Sequence, residues 1–130
     1  LSDIPARQGS VIWDYMTNHN GLPLELDWGS GAIIYDDMVN AVKEGSIIRV
    51  YGYGNTNQWA VNLCLSDAQW QWQDWASPNS NASGTSTNVG VELEWTLSAA
   101  QAAELSGNGL VVRGAGDGFT LTHVTIYNPS

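Results

Sequence analysis

Apolar and polar residues alternate along several short stretches of the chain. In VIWDYM, residues 11–16, Val11, Trp13 and Tyr15 share one parity and Ile12, Asp14 and Met16 the other. A period of two predicts a β-strand, because successive strand side chains point to opposite faces. LELDW repeats the pattern with Leu24, Leu26 and Trp28 inward and Glu25 and Asp27 outward, and GSG interrupts it before AIIY resumes a short strand. SIIRVYGYG, residues 46–54, sets Ile48 and Val50 on one face and Ile47, Arg49, Tyr51 and Tyr53 on the other. VGVELEWTL, residues 89–97, alternates strictly, with Val91, Leu93, Trp95 and Leu97 inward and Glu92, Glu94 and Thr96 outward. GLVVRG and GFTLTHVTIY predict two closing strands separated by AGDG. Two segments break the period. Asp36 and Asp37 are placed to cap a helical turn that carries Met38, Val39 and Val42 and stops at Gly45, and SAAQAAEL, residues 98–105, predicts an alanine-rich helix ended by GNG.

Eight or nine short strands with long turns predict an all-β fold, an antiparallel two-sheet β-sandwich of jelly-roll type with one or two short helices. Residues 1–9, with Pro5 and Gly9 and no periodicity, read as a lead-in, residues 10–128 as the domain, and Pro129 and Ser130 as the start of a linker. The polar run SPNSNASGTST, residues 77–87, reads as a loop and holds the sequon Asn81-Ala82-Ser83.

Composition narrows the partners. A chain of 130 residues suits one domain with its own core, and a single cysteine excludes an internal disulfide. Cys64 lies within an apolar stretch with no basic neighbour, as an inert packed thiol would. Thirteen acidic against four basic side chains, a net charge of -9, make nucleic acid and anionic membrane surfaces poor partners. No apolar run is long enough to span a bilayer.

The densest chemical signal is WAVNLCLSDAQWQWQDW, residues 59–75, which holds four of the seven tryptophans: Trp59, Trp70, Trp72 and Trp75. One core face cannot hide so many indoles, and exposed indoles ask for a partner, a ligand or, alternatively, another protein surface against which the patch buries. The simpler alternative keeps Trp59 and one neighbour as core and the rest as loop filler. Flat aromatic faces interleaved with the amides Asn62, Gln71 and Gln73 suit a pyranose, which offers axial C–H groups to a ring and equatorial hydroxyls to amides. Tyr51 and Tyr53 flank this cluster from the preceding strand, and Arg49 beside them marks that face as an open one. If GNTNQ is a hairpin loop, Asn62 falls beside Arg49 and Tyr51. Trp13 and Trp95 belong to the core by parity, and Trp28 is undecided.

Catalysis has little to stand on. Glu92 and Glu94 share a strand face at a spacing that a pair of glycosidase carboxylates tolerates, but an open face lacks the apolar pocket that suits one of them as acid. His19, His123 and Cys64 form no nucleophilic constellation, and Asp36, Asp37 and Asp117 fit capping and turn formation better than a calcium site. No enzyme activity, cofactor or metal is expected.

VIWDY near the start, GSIIRVYG in the middle, and VELEWTLSAAQAAEL with GLVVRGAGDGFTLTHVTIY at the end resemble the layout of β-sandwich carbohydrate-binding modules attached to bacterial plant-cell-wall hydrolases. The likeness covers about Val11 to Tyr127 and is strongest over the last forty residues, which carry a strand, a short helix and two closing strands. It implies a secreted, monomeric, non-catalytic module covalently linked to a glycoside hydrolase. Such a module binds β-glucans such as xyloglucan, mixed-linkage glucan, glucomannan or amorphous cellulose through tryptophans on a concave sheet face. Trp59, Trp70, Trp72 and Trp75 are the positions that fill that role here. The WQWQDW string is denser in indoles than that pattern.

Overall fold

The computed structural model describes residues 9–26, 31–54, 61–65, 75–76, 90–114 and 119–129. Nine strands lie among them: β1 (Ser10–Asp14), β2 (Leu24–Leu26), β3 (Gly31–Ile34), β4 (Ile47–Gly54), β5 (Val61–Leu65), β6 (Trp75–Ala76), β7 (Gly90–Thr96), β8 (Leu110–Gly114) and β9 (Phe119–Tyr127). Three short helices accompany them, α1 (Tyr15–Asn18), α2 (Asp37–Asn40) and α3 (Ala99–Leu105). The strands form two antiparallel sheets, one ordered β1-β9-β4-β7 with β2 also paired to β9, the other ordered β3-β8-β5-β6.

Both sheets feed one apolar core. Ile48 and Val50 of β4, Leu93 and Trp95 of β7 and Val124 and Ile126 of β9 meet Ala32 and Ile34 of β3 and Leu110 and Val112 of β8 in a single buried cluster. Leu105 and Ala102 close it from α3, and Val39 from α2. The alternation in β4 and β7 therefore does what period two predicts, and Trp13 and Trp95 are core indoles.

Two bulges reset that parity elsewhere. In β9 the register passes from His123 opposite Tyr51 to Leu121 opposite Gly52, so Thr122 is the extra residue. Phe119 and Leu121 on one side of it and Val124 and Ile126 on the other all reach the core because of this slip. In β1 the register skips Ile12, which sends Val11 outward while Trp13 turns inward. The sequence parity that grouped Val11 with Trp13 and Tyr15 on one strand face is thus corrected, and Tyr15 itself opens α1. Asp14 ends the strand because its carboxylate accepts from the Met16 N–H at 2.7 Å, the N-cap geometry that starts a helix.

The predicted helices form at their caps. Asp36 accepts from Met38 N–H at 2.8 Å and starts α2, which ends at Asn40, short of Val42 and of the expected stop at Gly45 (φ +92°). Ser98 and Gln101 cap α3 reciprocally: Ser98 Oγ accepts from Gln101 N–H at 3.1 Å and Gln101 Oε1 from Ser98 N–H at 2.9 Å. After β9, Asn128 ties the chain back, accepting from Ser46 Oγ at 2.7 Å and donating to the Met38 carbonyl at 3.0 Å.

Candidate functional site: the outer face of the five-stranded sheet

The face of β4 turned away from the core is built from rows that the ladders hold in register. One row runs Glu94, Arg49, Thr125, Val11, the next Glu92, Tyr51, His123, Asp14, and a third Gly90, Tyr53, Thr120, Glu25. Cross-strand residues of a row stand about 5 Å apart, within reach of long and aromatic side chains. Arg49, Tyr51 and Tyr53 are therefore brought together on one surface, as their shared parity predicts.

Arg49 finds its counter-charge on β7, where Glu94 Oε1 lies 3.6 Å from Arg49 Nε. The Arg49 side chain keeps only 12% of its surface in solvent, whereas Glu94 keeps 45%. The Arg49 stem is therefore largely packed, with its charge facing a partly solvated carboxylate. Beside Arg49, Thr125 Oγ1 is buried without a hydrogen-bond partner.

Tyr51 and His123 form the aromatic centre of the face. Their rings stack at a centroid distance of 4.1 Å and an interplanar angle of 12°. The bulge residue Thr122 locks the pair, since its hydroxyl donates to the Tyr51 carbonyl at 2.9 Å and lies 3.2 Å from His123 Nδ1. Burial pushes the His123 imidazole below its ordinary value of 6.5, against a smaller upward pull from the Asp14 carboxylate. Tyr51, Tyr53 and His123 are all half-buried, so each keeps part of its surface open.

The sequence-predicted site divides in three. Arg49, Tyr51 and Tyr53 share this face. Asn62 does not join them: β5 belongs to the other sheet, where Asn62 stands opposite Arg113 and Ala76. β4 and β5 do not pair as expected, because β7 and β9 take the two edges of β4 while β5 pairs with β8 and β6. Trp75 lies in β6 opposite Leu63, in the register row of Val112. Trp59, Trp70, Trp72, Gln71 and Gln73 lie outside the described residues.

His123, Thr122 and Thr125 are functional candidates that pattern reading missed. Strict alternation through FTLTHVTIY assigns His123 the parity of Phe119 and Leu121, and only the bulge at Thr122 turns it to the outer face. The available signal was composition: three threonines and a histidine inside an otherwise apolar strand.

Among the described residues no group of three or more His, Cys, Asp or Glu side chains is placed to hold a metal ion, and no helix is long and apolar enough to cross a membrane. Asp36 is engaged as the cap of α2, and Asp117 lies outside the described residues. Glu94 is solvated and leans on Arg49, a setting unlike the apolar pocket that suits a proton-donating carboxyl. Searches of protein-family models, curated proteins and solved structures return no match for this chain.

Proposed function

We propose that the chain is a non-catalytic carbohydrate-binding module that holds a β-glucan chain against an aromatic and polar sheet face. The observation that carries this reading is the β4 strip: Tyr51 and Tyr53 stand two residues apart on the outer face with Arg49 in line, and Tyr51 is stiffened by its stack on His123. Rigid half-buried rings offer apolar planes to axial C–H groups at little entropic cost, and the guanidinium offers donors to hydroxyls. The four indoles between residues 59 and 75 add a supply of stacking surface that a domain of this size does not need for its core.

In this reading the two sheets are the layers of a jelly-roll-like β-sandwich around the shared core. The module is monomeric and secreted, and a covalently linked glycoside hydrolase is its working partner, to which it brings substrate. Xyloglucan, mixed-linkage glucan, glucomannan and amorphous cellulose are the ligand candidates. Affinity electrophoresis against xyloglucan, barley β-glucan, glucomannan, xylan and pectin tests the proposal. Retardation by one or more of the β-glucans supports it, and unretarded migration in all of them overturns it. Reducing-sugar release from a retarding polysaccharide would instead favour a glycan-active enzyme that uses Glu92 or Glu94.

A further inference from the structure

Thr122 decides the proton on its neighbour. Its hydroxyl carries one hydrogen, and the Tyr51 carbonyl, which can only accept, takes it at 2.9 Å. The contact of 3.2 Å between Thr122 Oγ1 and His123 Nδ1 then needs its hydrogen from the imidazole. Neutral His123 is thereby held as the Nδ1–H tautomer, and the lone pair resides on Nε2. The stack on Tyr51 fixes the ring plane, and among the described residues no hydrogen bond engages Nε2.

Resting on the reading of this face as a saccharide site, we infer that His123 is a ligand-contacting residue whose Nε2 lone pair accepts a hydrogen bond from a saccharide hydroxyl, so that protonating the ring weakens binding. Arg49, one register row away, can only donate. His123 gives the face a fixed acceptor, about 6.6 Å along the strand direction from that donor row. A hydroxyl both donates and accepts, so a ligand whose neighbouring sugar hydroxyls meet the two rows with opposite polarity is matched, whereas an imidazolium offers a second donor and leaves the hydroxyl hydrogen unpaired.

The groups around the ring set where the change falls. β4 contributes Tyr51 and, one row away, Arg49, while β1 contributes Asp14. From β2, Glu25 stands opposite Thr120 in the far row, and Tyr15 of α1 packs on the core instead. Burial favours the neutral ring, and Asp14 favours the cation.

The test combines nuclear magnetic resonance of the imidazole in the ligand-free chain with calorimetric titration of a soluble β-glucan from above pH 6.5 to well below it. The Nδ1–H tautomer and a loss of affinity of about tenfold that follows His123 protonation are expected, on the scale of one broken hydrogen bond. His123→Phe keeps a ring for Tyr51 and removes the acceptor, so it should bind weakly at every pH with the slope abolished. Asp14→Asn preserves the helix cap and should move the midpoint of the affinity loss to lower pH. An Nε2–H tautomer, or wild-type affinity and slope in His123→Phe with its unfolding temperature retained, overturns the role of His123 alone. Absence of glucan binding by the unaltered chain at any pH overturns the saccharide reading of the face and this inference with it.

Discussion

The ring of Phe119 lies where a side chain on Gly52 would stand: a Cβ built on Gly52 comes within 2.8 Å of Phe119 Cε2 and Cζ and also meets the Thr120 carbonyl oxygen. Gly52 directly follows the bulge register shift, and Phe119 is wholly buried. The missing side chain lets β4 and β9 close up at this point. Gly52→Ala is therefore expected to lower stability by about 2 kcal/mol, the scale of overpacking a tight core, measured as a reduced urea midpoint. Gly21→Ala, at φ +81° with nothing within 4 Å of its new Cβ, isolates the conformational penalty alone and should cost less.

Trp13 and Trp95 each retain only 7% exposure and belong to the shared core cluster. Replacing either with Ala should cost about 3 to 5 kcal/mol through the cavity left behind. Denaturant unfolding checks this.

Tyr53 is half-buried on the outer face and lies outside that cluster. Tyr53→Ala should leave the unfolding midpoint nearly unchanged and weaken glucan binding by about 2 kcal/mol, the scale of a binding hot spot. Calorimetry on the same preparation reads both quantities. A variant that unfolds while the binding of its folded fraction is intact would assign Tyr53 to structure.

Charge should matter little to a neutral ligand. Affinity for a β-glucan is expected to change by less than about twofold between low and physiological salt, because no counterions are released. EDTA should have no effect. A steep salt dependence would favour a charged polysaccharide read by Arg49.

His123 also links stability to acidity. Burial holds its folded imidazole below 6.5, so the unfolded chain binds the proton more readily. Stability from this group is constant above 6.5, falls as pH drops from there toward the folded value, and then levels off. In His123→Phe this segment of the stability profile should flatten, which thermal unfolding at a series of pH values would detect.

Alternation made the faces of β4 and β7 legible, including the cores at Ile48, Val50, Leu93 and Trp95 and the outward set Arg49, Tyr51 and Tyr53. A period of two reports which side of a strand a residue takes, but nothing about which strand lies beside it. That is why Asn62 was expected beside Arg49 and is found in the other sheet. Bulges defeat the same reading from within. One extra residue at Thr122 inverts the faces of half a strand, and alternation gives no sign of where it falls; the threonines and histidine hint at a polar face, but the register is what places His123 on it. The caps of α2 and α3 were legible for the opposite reason: an Asp or Ser contacts an N–H two or three residues away, and no distant partner is needed.

β9 is the strand that β1, β2 and β4 all pair with, and it is the last of the described strands in sequence order. On a ribosome, the first two strands emerge more than ninety residues before their partner, and β4 more than sixty. Until then they have apolar faces and open backbone edges, the condition in which nascent chains aggregate or recruit chaperones. Closing such long loops before β9 can return its pairing energy makes assembly slow, in the millisecond-to-second range of β-rich domains. The yield of folded protein should accordingly depend on temperature and crowding during synthesis more than the equilibrium stability of the finished domain would suggest.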